Sequence, residues 1–260
     1  MTQNQTPNQY SNNPTAPVTT PNVAPRGSTG PITGASPATL GVVPDARLAQ
    51  AFLTQAFVWM FAGLLVTAGV AAVVRSNETL LNFAEGNFFL LFIAQLGIVV
   101  VISGAIKRIS ATLALGLFFV YAASLGITIG LIVASYTEGS VVTAFLSASA
   151  MFGAAAIYGH VTKRSLAKMG SILFMGLIGL LVAMVLNLFL VSSAVTFAIS
   201  IVGVVLFTAL TAYDVQRIQS GAIAAYTGSM EKAAVIGALQ LYLDFINIFL
   251  FLLRLLGGRS

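Results

Sequence analysis

The sequence predicts an all-α integral membrane protein, a compact bundle of seven transmembrane helices. Composition is the first observation behind this. Of the residues, 58% are hydrophobic and only 7% are charged, and mean hydropathy is +0.96. A water-soluble domain carries about a quarter charged residues to solvate its surface, so this chain belongs in lipid. The second observation is a set of seven proline-free apolar runs, at approximately 51–74, 88–106, 111–135, 141–158, 171–191, 194–213 and 233–256. About 20 helical residues cross a 30 Å hydrocarbon core, and helices satisfy their backbone polar groups internally, as hydrocarbon demands. A β-barrel would need alternating segments of about ten residues, and these runs do not alternate.

Residues 1–46 are rich in Asn, Thr, Pro, Gln, Ser and Gly and almost free of charge. Such a segment cannot bury enough apolar surface to offset its conformational entropy, so a disordered polar tail is expected ahead of a seven-helix domain at 47–260. No basic n-region opens the chain and no apolar run precedes Ala51, so a cleaved signal peptide is not expected. The first run ends at Arg75 and leads into Asn77-Glu78-Thr79, which matches the glycosylation pattern but lies close to the membrane. The second run ends before Lys107 and Arg108. Gly126 and Gly130 in the third run, and Gly153 with Ala154 to Ala156 in the fourth, form small-residue surfaces that allow close helix approach. The fourth run is followed by His160, the single histidine, beside Lys163 and Arg164. No second His or Cys stands at ligand spacing, so an interfacial role is expected there rather than a metal site. Short connections make consecutive helices expected antiparallel neighbours.

Basic residues set the expected orientation. With the N-terminus inside, the cytoplasmic side receives Arg47, Lys107, Arg108, Lys163, Arg164, Lys168, Arg217 and Lys232, and the other side Arg75, Arg254 and Arg259. Eight against three agrees with the positive-inside rule, giving N-in and C-out. A re-entrant last run would return Arg254 and Arg259 to the cytoplasm, but no Gly or Pro lies between Gly237 and Gly257 to break it. The chain has no cysteine, which removes disulfides, thiolate metal sites and cysteine nucleophiles. The scattered basic residues do not form the basic face that nucleic acid needs, and no P-loop, HExxH, GxSxG or dinucleotide fingerprint occurs. The chain is expected not to be an enzyme and to need no cofactor.

Two acids stand apart from this pattern. Of seven acidic residues, five lie in polar connections or the tail, whereas Asp214 ends the sixth apolar run and Asp244 sits inside the seventh. An ionisable group at membrane depth costs about 2.5–3.5 kcal/mol on insertion scales and reads as functional. Gln240, Asp244 and Asn247 share one helical face, a polar stripe that should point into the bundle. Thr208, Thr211, Asp214 and Arg217 recur every three residues on a drifting face, and Arg217 can reach Asp214 as an i, i+3 pair. At about 1.5 Å per residue, Asp244 stands roughly 16 Å from the start of its run while Asp214 stands at the end of its own. Spacing therefore does not by itself put the two side by side.

The stretches TALTAYDVQRIQ (208–219) and ALQLYLDFINIFLFLLRLLG (238–257) resemble the hallmark motifs of the Bax inhibitor-1 family, and the likeness covers about 51–257. The resemblance implies a seven-helix membrane protein associated with pH-sensitive calcium leak, set in the cytoplasmic membrane in bacterial members. The family's paired aspartates match Asp214 and Asp244. Two carboxylates sharing a low-dielectric site cannot easily ionise together and titrate as a unit. A shared proton would link the sixth and seventh spans and hold a pore shut. Loss of that proton would bring repulsion, or attract a hard cation such as calcium at a weak site on Asp214 and Asp244. Two features depart from the family pattern. Gln95 stands where some members have glutamate, and Ile106, beside Lys107 and Arg108, stands where some have an arginine latch. Lys107, Arg108 and Arg217 are the candidate latches, with Gln240, Asn247 and Thr211 supporting the acids.

Three functions stay open to the sequence. The first is a proton-regulated calcium or cation leak channel, with the bilayer, calcium and protons as partners. The second is a non-transporting regulator of a membrane protease or of a cell-death or stress factor, acting on a membrane protein partner. The third is an intramembrane aspartyl protease, against which stands the absence of Gly-x-Gly before Asp244 and of a following Pro-Ala-Leu.

Overall fold

The computed structural model describes residues 46–258, with side chains from 50 onward. Apart from Ala46, the expected tail at 1–46 lies outside the described residues, as do the side chain of Arg47 and the whole of Arg259. The described chain forms α1 (Ala46–Arg75), α2 (Glu78–Gly86), α3 (Phe88–Ala105), α4 (Ala111–Ala134), α5 (Glu138–Val161), α6 (Gly170–Leu190), α7 (Ser193–Gln219), α8 (Ala222–Thr227) and α9 (Met230–Leu256). A 3-10 turn at Ala167–Met169 leads into α6. Seven of these helices, all but α2 and α8, are long and apolar enough to cross a membrane. Local chemistry sets where they start. Ser110, Thr137, Ser192 and Ser229 each accept a backbone N–H of the first turn at the heads of α4, α5, α7 and α9.

The two short helices fall where hydropathy shows only connections. The Asn77 side chain accepts from the Leu80 amide at 3.1 Å, so the Asn-Glu-Thr string is the capped start of α2. Gly221 and Gly228 bracket α8 with φ of 74° and 68°. Only glycine adopts that conformation without strain, and the pair lets the chain turn between α7 and α9.

Chain order sets only some of the neighbours: α3 packs on α4, α6 on α7 and α7 on α9, as expected, whereas α1 packs on α4 and α9, and α5 on α7 and α9, rather than on the next span in the chain. At the centre stands α9, 72% buried over its apolar window, with α1, α4, α5, α7 and α8 around it. At the periphery, α3 rests on α4 and α6 on α7, each only 11% buried. These two are the most apolar spans, as surfaces facing lipid require. The partner of α4 is α1 rather than α5, because the glycines bring their backbones together. A Cβ on Gly126 would come within 2.8 Å of the Thr67 carbonyl, and one on Gly130 within 2.9 Å of the Ala71 carbonyl. Gly153 is a correction, since a Cβ there would meet nothing within 4 Å. It stands one residue off the buried stripe of Ala148, Phe152, Ala155, Ala156 and Gly159. Gly159 makes the close approach instead, against the Ala212 backbone of α7.

Between Met230 and Leu256, α9 runs unbroken. Past its end, the Gly258 amide donates to the Ser140 hydroxyl at 2.9 Å and its carbonyl accepts from the Thr137 amide at 3.2 Å. Arg75 and Glu138 form an ion pair at 3.3 Å across the same end. The ends of α1 and α9 are thereby tied to the head of α5, opposite the end that carries Lys107, Arg108, Lys163, Arg164, Lys168 and Lys232.

Candidate functional site: a buried aspartate pair

The α7–α9 interface is antiparallel, and its register decides what Asp214 meets. Ile218 packs over Gly237 near one end, and the Phe207 and Phe251 rings meet with centroids 6.0 Å apart further along. Asp214 follows Phe207 by seven residues and Asp244 precedes Phe251 by seven, so the register sets the two acids opposite each other. The depth mismatch expected from hydropathy disappears because α9 reaches past the end of α7: in this register Gln219 stands level with Leu239, and the first turns of α9 lie beyond it, where α8 packs. Asp214 lies five residues inside the end of α7, and α9 begins at Met230, ahead of its apolar run.

Both acids are buried, at 6% and 4% relative exposure for Asp214 and Asp244. The charge of Asp214 bears on Asp244, and that of Arg217 bears on Asp214. No ion pair joins Arg217 to Asp214; among the described residues Arg75–Glu138 is the pair that forms. The fully buried Thr211 hydroxyl stands beside Asp244 and donates to the Phe207 carbonyl of its own helix at 2.8 Å.

Two buried oxygens beside this pair lack a hydrogen-bond partner, Oδ2 of Asp244 and Oε1 of Gln240 one turn away. A buried acceptor without a donor costs about 1–3 kcal/mol, and a helix bundle has no structural need of it. The rest of the expected stripe behaves differently. Asn247 donates to the Leu243 carbonyl of its own helix at 2.8 Å and is only partly buried. Among the described residues no third His, Cys, Asp or Glu joins the aspartates in a metal-binding cluster.

Of the candidate latches, Arg217 is the one whose charge reaches the pair. Lys107 is exposed and stands 4.2 Å from the centroid of the Tyr226 ring of α8, while its carbonyl accepts from Lys232 at 3.3 Å. Arg108 is exposed and Ile106 fully buried. Gln95 is buried on α3 and donates to the Ser124 carbonyl at 3.1 Å and the Thr128 hydroxyl at 2.8 Å, so it joins α3 to α4. His160 is exposed in the last turn of α5.

Sequence reasoning passed over the neighbour that holds this site in place. Tyr242, two residues from Asp244, is fully buried and its hydroxyl meets the Thr67 hydroxyl at 2.6 Å. Thr67 in turn reaches the Ala122 carbonyl of α4 at 2.9 Å. The Tyr242 ring packs edge-on against Phe118 and Tyr121, at 5.5 and 6.0 Å. One side chain therefore bolts α9 to α1 and α4. The available signal was a tyrosine with a polar tip inside an apolar span, a residue that when buried needs a partner.

A family model, Inhibitor of apoptosis-promoting Bax1, matches residues 49–260. The inner membrane protein YbhL of Escherichia coli (strain K12) is 40% identical over 224 residues, covering 84% of this chain and 95% of its own. A protein of Deinococcus radiodurans is 42% identical over 212 residues, with 81% and 92% covered. A membrane protein of Streptococcus pyogenes serotype M3 is 40% identical over 168 residues, with 65% and 73% covered. With seven spanning helices and this match along nearly all of them, the chain is a multi-pass membrane protein of the Bax inhibitor-1 family.

Proposed function

We propose that the protein is a proton-regulated cation leak channel, with calcium as the transported ion and the Asp214–Asp244 pair as its gate. The observation that carries this reading is the partnerless Oδ2 of Asp244 beside a second buried acid. A proton held between the two carboxyls satisfies the orphan oxygen and links α7 to α9. Without the proton, two like charges face each other across a helix interface in low dielectric, which favours separation or entry of a cation. Asp214, Asp244, Thr211 and Gln240 offer few oxygens against the six to eight of a tight calcium site. The ion therefore binds weakly and passes on. In this scheme the basic end of the bundle faces the cytoplasm, the N-terminus is cytoplasmic and the host is the cytoplasmic membrane.

Calcium flux into proteoliposomes, followed against pH, tests the reading. Wild type conducts more as pH rises and the shared proton is lost. Asp214→Asn and Asp244→Asn each flatten that response, because an amide donates permanently. Absent flux in wild type, or an unchanged pH response in both variants, rules the mechanism out. The same variants separate the protease reading, which requires a cleaved membrane substrate whose processing either change would stop.

A further inference from the structure

A second feature lies away from the aspartates. Between α5, α6 and α7 runs a groove of about 630 Å³, walled by apolar side chains that include Met151, Leu173, Val205 and Ala209. It exists because α6 packs on α7 and not closely on α5. At one end the lining turns polar, with Arg164, Tyr158 and Tyr213.

That polar end is held in position. The Gln216 side chain of α7 accepts from the Leu166 amide at 2.6 Å and donates to the Arg164 carbonyl at 3.0 Å. This two-point clamp fixes the α5–α6 connection so that Arg164 borders the groove. Lys163 and Lys168 are exposed in the same connection, and no acid occurs from Thr162 to Met169. None of the three cations is ion-paired within the described residues. Neither the 3-10 turn nor α6 has a side-chain cap, so the N–H groups of that helix start add to the positive potential. Tyrosines at this level match the aromatic belt found where spans meet headgroups.

We propose that this groove binds an anionic phospholipid, with an acyl chain between α5 and α6 and the phosphate facing Arg164, Lys163 and Lys168. An apolar trough leading from a cluster of unpaired cations fits a molecule with one anionic head and a long apolar tail. Basic pockets between spans are established headgroup sites in membrane proteins. A second copy of the chain lying parallel is a poorer fit. Of the exposed acids it could offer, Glu78, Glu85 and Glu138 sit at the opposite end of the bundle, and Glu231 stands at the head of α9, a helix that lines no part of the groove.

The test is lipid retention by the full-length chain, released by native mass spectrometry from nanodiscs holding equal phosphatidylglycerol and phosphatidylcholine. Phosphatidylglycerol should be retained in preference. Arg164→Gln, an exposed change that leaves the backbone clamp in place, should lower its retention about fivefold, the weight of one cation at an anionic surface. Ala209→Phe, which fills the trough without altering charge, should release the lipid. Excess inorganic phosphate should leave it bound. Equal retention of the two lipids overturns the proposal, as does retention unchanged by Arg164→Gln. Displacement by inorganic phosphate would reduce the site to an anion site. A dimer cross-linked through α6 in place of a lipid-bound monomer would give the groove to a second copy.

Discussion

Tyr242 and Asp244 stand two residues apart on α9, about 200° around the helix, and their polar atoms have opposite fates. Tyr242 faces α1 and α4, and its hydroxyl finds Thr67, which in turn finds carbonyls on both of those helices. Asp244 faces α7 and keeps an oxygen with no partner beside a second acid. A bundle that satisfies one buried group so fully could have satisfied the other, or replaced it with leucine. The contrast separates a fixed face of α9, where helices are bolted, from a face with an unsatisfied acceptor, the one on which the proposed gate would act.

The sharpest way to break the comparison is to remove the bolt. Tyr242→Ala deletes a fully buried ring that packs against Phe118 and Tyr121, leaving a cavity and removing the hydroxyl that joins α9 to Thr67. It should cost about 3–5 kcal/mol, read as a large drop in thermal unfolding temperature in detergent. Flux, if measured on surviving protein, should fall with the folded fraction and keep its pH dependence. A protein that stays as stable as wild type would remove Tyr242 from the structural side of the contrast.

Asp244→Leu should do the reverse. Replacing a buried acid that has an orphan oxygen by an apolar side chain is expected to be neutral or stabilising, while the pH response disappears. A marked loss of stability would mean that Asp244 is interhelical glue like Tyr242, and the division of α9 into two faces would fail.

Much of this contrast was legible before any coordinates. A carboxylate amid Leu, Phe and Ile announces itself, because hydrocarbon makes the charge costly, and the spacing of Gln240 and Asp244 already put them on one face. What hydropathy could not see was where α7 and α9 end. Both continue through polar residues that a sliding apolar window discards, Asp214 to Gln219 on one helix and Met230 to Lys232 on the other. The first turns of α9 reach past the end of α7, so the acids come level although Asp214 lies near one helix end and Asp244 deep in the other. The Tyr242–Thr67 and Arg75–Glu138 pairs were illegible for a different reason. They join residues far apart in sequence on helices that are not chain neighbours, and only the packing of α1, α4 and α5 around α9 brings them within reach. Gly126 and Gly130 showed in advance that some close approach existed, without naming α1 as the partner.

A smaller effect sharpens the satisfied side. Gln95 donates into α4 from a peripheral helix, so Gln95→Leu should cost only about 0.6 kcal/mol, the average for interhelical hydrogen bonds in a membrane. The pH response of flux should not change. If it did, Gln95 would belong with the acids, and the proposed gate would extend across the bundle to α3.

The Arg75–Glu138 pair gives the smallest effect and tests a third condition, a charge pair that is satisfied yet open to solvent. The Arg75 side chain is 35% exposed and that of Glu138 82%. Water screens such a pair and two long side chains lose freedom to form it, so its worth should be below about 1 kcal/mol. A double-mutant cycle on Arg75→Gln and Glu138→Gln, followed by thermal unfolding, reads that coupling, and raising the salt concentration should shrink it further. The backbone tether of Gly258 to Thr137 and Ser140 closes the same end without any charge. The cycle should therefore leave flux and its pH dependence intact. A coupling much larger than this, or a pH response that moves with Glu138→Gln, would place part of the gate at the far end of the bundle and make the α7–α9 face only half of it.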